Sequence, residues 1–323
     1  MKINRKMLTV LFAGFVWSLP SSGHATTVNV TPLGSHDGEF CKFDRAMIFE
    51  DPDGTRILYD AGRTVAGADD PRLGTIHAVL VSHMHGDHVG DKHLTAPNAG
   101  ECGKPDVSVV VVPNTNTVNI ALAKDAKIIA GSEMPKFFGN KLKALGGNPK
   151  DAQLVRFGAN RTIGGVRVTT VPAVHSNGIS GAMIGGDLGA LLDGSGLTAY
   201  AGPPTGYVLH FSNDLVVYLS GDTGVTAEQE TVVGNQYKAN LVVMNIGDTF
   251  TTGPTEAAYV INTLIKPAAV IPSHANEVAT SGGKVIAGTR TEAFSNASQV
   301  PVHLPLSGRT MGFDGSGTCI SGC

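Results

Sequence analysis

The chain has 323 residues, 42% hydrophobic and 16% charged, with a formal charge of −3. That length buries a sizeable core, and no linker-like stretch divides it, which favours one large domain over two small ones. Beyond the first residues no run of five basic residues occurs, which argues against a grip on a phosphate backbone and makes nucleic acid an unexpected partner.

Residues 1–25 read as a secretory signal. Lys2, Arg5 and Lys6 form a basic start, Met7 to Leu19 an apolar run, and Gly23-His24-Ala25 a small-residue pattern that predicts cleavage after Ala25. The apolar run is too short for a comfortable span and no second one follows, so no membrane anchor is expected in 26–323. Without a cysteine at the cleavage point or a twin arginine, general secretion is expected, to the periplasm or the exterior. Losing three basic and no acidic residues moves the formal charge from −3 to −6. Cys41, Cys102, Cys319 and Cys323 remain, an even number in an oxidising compartment. The short Cys319–Cys323 spacing suits a closed loop and leaves Cys41 with Cys102, although four cysteines allow three pairings. A zinc site is the alternative, against which stands the absence of any Cys-x-x-Cys.

Val28 to Pro32, Ala46 to Glu50 and Ile57 to Tyr59 read as strands, with Asp51-Pro52-Asp53-Gly54 as the turn between the last two. Val79 to Ser82 and Val107 to Val112 read as buried strands. A helix is predicted from Ser132 or Glu133 to about Leu145, capped by Ser132 and stopped by Gly146-Gly147-Asn148-Pro149. A second strand series follows: Gln153 to Phe157, Val166 to Val171, Gly206 to His210, Leu215 to Leu219, Leu241 to Asn245, and Ala269 to Ile271. Pro254 to Ile265 reads as a helix, with Pro254 in its first turn and an apolar stripe near the 3.6 period. The pattern predicts two sheets with helices outside. Between His175 and Gly206 lies a glycine-rich stretch, 177–206, expected to be a substrate-facing lid, with a surface insertion as the alternative.

The densest chemistry lies in Ser82-His83-Met84-His85-Gly86-Asp87-His88, three imidazoles and a carboxylate directly after an apolar run. His83 and His85 are two apart, so both rings can face one way on an extended backbone. Three more residues follow apolar strands in the same manner: His175 after Val171-Pro172-Ala173-Val174, Asp222 after Leu219-Ser220-Gly221, and His274 after Ile271-Pro272-Ser273. Strand ends along one sheet edge can converge, so distant residues can share one cleft.

With His83-x-His85-x-Asp87-His88, then His175, Asp222 and His274, the chain resembles the metallo-β-lactamase superfamily from about Val28 to His274. The resemblance implies an α/β fold, a four-layer αββα metallo-β-lactamase-type sandwich, with a dinuclear site at one edge of its sheets. It assigns His83, His85 and His175 to a first metal, Asp87, His88 and His274 to a second, and Asp222 to the bridge. Asp60, in Leu58-Tyr59-Asp60-Ala61-Gly62, would support the site without binding metal. Imidazole and carboxylate suit two divalent ions, Zn²⁺ first, with Mn²⁺ or Fe²⁺ also compatible. Such a pair lowers the pKa of bound water and supplies hydroxide for hydrolysis. Asp87 is the candidate catalytic residue, orienting the hydroxide or passing a proton.

Departures within the superfamily narrow the chemistry. Typical zinc β-lactamases carry Cys or Ser near the bridging position, where this chain has Asp222; the oxygen-reducing diiron members usually carry Glu where it has His85. The segment Asn245 to Ala258 resembles a branch that includes ascorbate-phosphate lactonase-like hydrolases. The expected function is therefore a metal-dependent hydrolase opening an ester or lactone in a small-molecule substrate. A phosphodiesterase is the nearest alternative, and a non-catalytic metal- or ligand-binding protein the one from another class. Only Lys92 and Arg63 lie beside the motifs, which favours a neutral acyl substrate. His93 is expected on the outer side of a helix, and His210 and His303 in structural roles. Tyr200 and Tyr207 are candidate oxyanion donors, and His36 a candidate substrate contact.

Overall fold

Ala78–Val81 shows how the chain builds its layers: four consecutive buried apolar residues leave the strand no polar face. Ala78 and Leu80 join one core cluster, while Val79 and Val81 join another on the opposite side. The computed structural model describes residues 26–323; the expected signal segment, 1–25, lies outside them.

The first sheet has eight strands, in the order Ala152–Leu154, Lys127–Ala130, Ala78–Val81, Arg56–Tyr59, Met47–Glu50, Val28–Pro32, Met311–Phe313 and Cys319–Ser321. The second has six: Asn160–Ile163, Val166–Pro172, Thr205–His210, Val216–Leu219, Leu241–Asn245 and Ala269–Ser273. Between them lies a core of inward-facing residues such as Phe49, Ile57, Leu80, Leu209, Val217 and Val243. Outside the first sheet, Val79 and Ile128 pack with Val118, Phe138 and Leu142 from the helices Asn116–Lys124 and Met134–Ala144. Outside the second, Val242 and Val270 pack with Val260, Ile261 and Phe294. The result is the expected αββα order, with central strands such as Ala78–Val81, Leu241–Asn245 and Ala269–Ser273 buried on both faces.

Most predicted strands stand within a residue or two of their expected ends. Val107 to Val112 does not form a buried strand: only Val109–Val110 pairs, with Lys92–His93, and both valines are exposed. An apolar run does not say whether a layer covers it, and none covers this one. Ser132 does not cap the following helix; its backbone has φ 54° and its hydroxyl donates to the Pro203 carbonyl at 2.9 Å. The Pro254 helix is α-helical to Tyr259 and continues as a π-helix to Ile265. Unforeseen were the helices Asn116–Lys124, Gln229–Gln236 and Arg290–Ala297 and the sheet strands Lys127–Ala130, Asn160–Ile163, Met311–Phe313 and Cys319–Ser321.

The glycine-rich stretch is not a long loop. It pairs Gly178–Ile179 with Ala199–Tyr200 and folds two helices between them, Gly181–Ile184 and Gly186–Gly194. Cys41 is joined to Cys102 and Cys319 to Cys323. Among the described residues no helix is long and apolar enough to cross a membrane.

Candidate metal centre

Each residue of the cluster sits just past the carboxyl end of a strand, on one edge of the two sheets. Val81 leads to His83, His85, Asp87 and His88; Pro172 to His175; Leu219 to Asp222; Ser273 to His274. The first motif turns inward because His85 begins a single helical turn, Gly86–Val89, closed by Gly90 at φ 75°. Gly62 lets this turn approach, since a Cβ there would lie 2.7 Å from the Asp87 carbonyl oxygen. His274 itself adopts φ 53°, a left-handed conformation uncommon for a side chain of its size.

The structure brings all seven sequence-predicted residues together. Their donor atoms form two groups, His83, His85, His175 and Asp222 in one and Asp87, His88 and His274 in the other, each with ligand atoms within 4.8 Å of one another. Asp222 joins the groups through one atom: its Oδ2 lies 3.7 Å from His83 Nε2, 3.6 Å from His175 Nε2, 3.3 Å from His88 Nε2 and 3.2 Å from His274 Nε2. Asp87 Oδ2 lies 3.4 Å from His274 Nε2 and 3.8 Å from His88 Nε2.

Asp60 sets the tautomers. Its Oδ2 accepts from His88 Nδ1 at 2.8 Å and from the Ser82 hydroxyl at 2.7 Å, while Oδ1 accepts from the Ser82 amide at 2.8 Å. With its only hydrogen given to Asp60, the Ser82 hydroxyl can only accept from His83 Nδ1, 2.9 Å away. Both imidazoles thus carry a proton on Nδ1 and aim Nε2, the atom left to bind an ion, into the cluster. His83 Nε2, His88 Nε2 and His274 Nε2 are buried and without a hydrogen-bond partner. Buried orphan nitrogens are costly, and three beside two carboxylates fit divalent cations.

The electrostatics agree. Burial, reinforced by the neighbouring imidazoles, pushes His83 well below its ordinary pKa, and burial likewise lowers His85 and His175, so these three are neutral ligands. Burial would lower His88 too, but Asp222, Asp60 and Asp87 outweigh it and raise it to about 10 in the metal-free protein. Burial would raise Asp222 and Asp87, yet the opposing charges win: His88 and His274 hold Asp222, and Arg45 and His88 hold Asp87, well below the usual carboxylate range. Arg45 was not foreseen. Its side chain is 3% exposed, donates from Nε to Asp87 Oδ2 at 3.0 Å, and reaches Asn276 Oδ1 at 2.7 Å. A lone arginine immediately before an apolar strand was the signal available for it.

The cluster forms the floor of a cavity of about 630 Å³. Its walls come from Lys42, Phe43, Arg45, Arg63, Thr249, Phe250, Asn276 and Arg290. Ser176 lines it, with its hydroxyl 3.3 Å from His85 Nε2, but no residue of 177–206 does, so the lid expectation is not met. That segment instead packs Ile179, Met183 and Ala201 beside the first sheet. It meets the backbone of the first motif at two points: the Asn177 amide oxygen accepts from the Met84 amide at 2.8 Å, and the Thr205 amide donates to the Ser82 carbonyl at 2.9 Å.

Several other expectations are corrected. The Tyr207 hydroxyl is buried and donates to the Val81 and Ile129 carbonyls at 2.6 and 3.0 Å, so it ties strands together and reaches no oxyanion. Tyr200 is 72% exposed, away from the cavity. His36 is held by Ser35 Oγ and the Gly100 carbonyl, outside the cavity lining. His93 lies in the short strand Lys92–His93 rather than on a helix, because Gly90 ends the turn before it. His210 packs against Tyr237 and His303 against Phe313, as structural residues would. The four basic residues in the walls also exceed the sequence expectation, since Lys42, Arg45 and Arg290 come from segments remote from the motifs.

A UPF0173 metal-dependent hydrolase of Cupriavidus taiwanensis is 31% identical over 209 residues, covering 63% of this chain and 60% of that protein. Another, from Koribacter versatilis, is 27% identical, covering 78% of this chain and 81% of that one. Among solved structures, Igni18, a metallo hydrolase from Ignicoccus hospitalis, aligns with TM-score 0.57 at 20% identity, over 90% of this chain and 99% of that one. The sequence profile of the beta-lactamase superfamily domain matches residues 55–275. With that match across most of its length, and two sheets placing the cluster at one edge, the chain belongs to the beta-lactamase superfamily and has the metallo-β-lactamase fold.

Proposed function

We propose that this protein is an exported metal-dependent hydrolase that holds two divalent ions, Zn²⁺ by preference, and opens an ester or lactone. The observation that carries the reading is Asp222 Oδ2, one oxygen within 3.2–3.7 Å of four imidazole nitrogens drawn from both groups. His83, His85 and His175 would hold one ion, Asp87, His88 and His274 the other, with Asp222 between. When bound, such ions supply Lewis acidity, making water a competent nucleophile near neutral pH and polarising the scissile carbonyl.

The chain's own residues do the rest. Asp60 and Ser82 hold the Nδ1 sides of His88 and His83, so that the Nε2 atoms are aimed at the centre. Arg45 keeps Asp87 ionised and oriented, so Asp87 acts as a ligand and hydrogen-bond acceptor toward the attacking water. Ser176 stands at the cavity edge, able to donate to a substrate oxygen. Water adds to the acyl carbon, the carbon–oxygen bond breaks, and the leaving oxygen takes the proton that water gives up.

Phosphodiester cleavage is the second reading, favoured by the basic side chains around the cavity. The test is metal content of residues 26–323 by plasma mass spectrometry, with initial rates on lactones, aryl esters, phosphodiesters and β-lactams. Two ions per chain and chelator-sensitive turnover of esters or lactones support the reading. Turnover of phosphodiesters alone replaces it with the second, and two ions with no turnover on any of these leaves a binding role.

A further inference from the structure

Four basic side chains line the cavity, and they are not equivalent. Arg63 is engaged with Asp91, donating from Nε at 2.7 Å and from Nη2 at 2.8 Å. Arg45 is nearly buried and engaged with Asp87, Asn276 and the Lys42 and Asp44 carbonyls. Lys42 and Arg290 differ. Lys42 is exposed and has no carboxylate within ion-pair distance among the described residues. Arg290 is 36% exposed, and its nearest carboxylate, Glu277, lies 3.6 Å away.

Glu277 is occupied elsewhere. It accepts from the Arg290 amide at 3.0 Å, the Thr291 amide at 2.9 Å and the Thr291 hydroxyl at 3.1 Å, which closes the start of the helix Arg290–Ala297. The Arg290 guanidinium keeps one long contact, 3.4 Å, to the Ala275 carbonyl, so most of its donors face the cavity without partners.

The backbone that carries Lys42 is fixed. Lys42 follows the disulfide-bonded Cys41, its amide donates to the Cys102 carbonyl at 3.3 Å, and Asp44 accepts the Cys41 amide at 2.7 Å. Arg45 reaches the Lys42 carbonyl with one nitrogen and Asn276, which also lines the cavity, with another. Two cations lining one cavity, one without a carboxylate and one whose only carboxylate is already engaged, above a floor suited to two divalent ions, make a receptor for negative charge.

We propose that Lys42 and Arg290 form a clasp for an anionic group, a carboxylate or phosphate carried by the substrate away from the bond that is cut. The proposal rests on reading the cavity as the substrate site, and it names the substrate class: anionic esters or lactones. Phe43 and Phe250 also line the cavity and would pack against the spacer between anion and scissile bond.

The test uses metal-loaded protein and three nitrophenyl esters of matched length: butyrate, which is neutral, hemiglutarate, which ends in a carboxylate, and one ending in a phosphate. The expected result is a kcat/KM preference for an anionic ester over the neutral one that falls by about tenfold in Lys42→Gln and in Arg290→Gln. The tail preferred identifies which anion is taken. Calorimetry with glutarate and glycerol phosphate gives a readout without turnover, in which each variant weakens binding to a similar degree and added salt does the same. Equal rates on neutral and anionic esters, or anion affinity unchanged in the double variant, overturns the clasp. If no ester is hydrolysed but anion affinity still depends on both residues, the acyl reading fails and the clasp stands.

Discussion

The Arg45 guanidinium and the Asp87 carboxylate meet at 3.0 Å beside the cavity, and this pair ties a candidate metal-binding oxygen to a cation remote in sequence. The same oxygen, Oδ2, lies 3.4 Å from His274 Nε2, so Arg45 decides where one donor of the second group stands.

Replacing Arg45 with Met should therefore loosen the second ion before the first. Residues that orient a metal ligand typically contribute about 10–100-fold to metal affinity. Metal content after dialysis against graded chelator should fall from two ions towards one at lower chelator concentrations than for the wild type. Unchanged retention of both would show that Asp87 needs no such support.

Asp60→Asn keeps the shape of the support but has one acceptor oxygen in place of two, so it cannot accept from His88 Nδ1, the Ser82 hydroxyl and the Ser82 amide together. It should weaken metal binding by about 10–100-fold while the fold survives. Circular dichroism alongside a competitive metal titration separates loss of metal from loss of structure.

His88 makes metal uptake depend on pH. Its pKa in the metal-free protein is raised to about 10 by Asp222, Asp60 and Asp87 acting against burial. Because the folded value lies above the ordinary one of 6.5, its proton stabilises the metal-free fold fully below about pH 6.5, and that contribution is lost as pH rises through about 10. An ion taking Nε2 must displace this proton. Affinity for the second ion should therefore rise between pH 7 and 9, by at most about tenfold per unit, with about one proton released per ion in calorimetry across buffers of different ionisation enthalpy.

Asp222 and His88 should fail differently. Asp222→Ala removes the oxygen shared by both groups and should lower the content of both ions, whereas His88→Ala should leave the first group occupied. Equal losses in the two variants would mean that the groups bind as one unit.

Tyr207→Phe separates packing from catalysis. Its hydroxyl holds the Val81 and Ile129 carbonyls, so its removal should cost about 1 kcal/mol of stability in denaturant unfolding and leave kcat at the wild-type value. A large fall in kcat without loss of stability would restore it as an oxyanion donor.

The ligand positions were readable because metal binding demands particular side chains, and strands advertise their ends. His83, His85, Asp87, His88, His175, Asp222 and His274 each follow an apolar run that has to be a buried strand. Strand ends on one edge of a sheet are neighbours whatever their separation in the chain. Asp60 was readable for the same reason, following Tyr59. The short helices of 177–206 were missed because glycine is conformationally permissive and the tertiary contacts of Ile179 and Met183 decided the matter.

The sequence by itself thus determined the layers of the sandwich and the identity of the chemical groups at its edge, since both follow from local patterns that physics requires. Tertiary structure alone decided the walls of the cavity. Lys42, Phe250 and Arg290 carry no local mark, and Arg45 only its place before an apolar strand, because a surface cation, an aromatic or a buried arginine obeys no period or spacing. Their meaning arises only where loops from distant parts of the chain meet: Arg45 becomes a support because Asp87 lies against it, and Arg290 faces the cavity because Glu277 is taken up by the helix start.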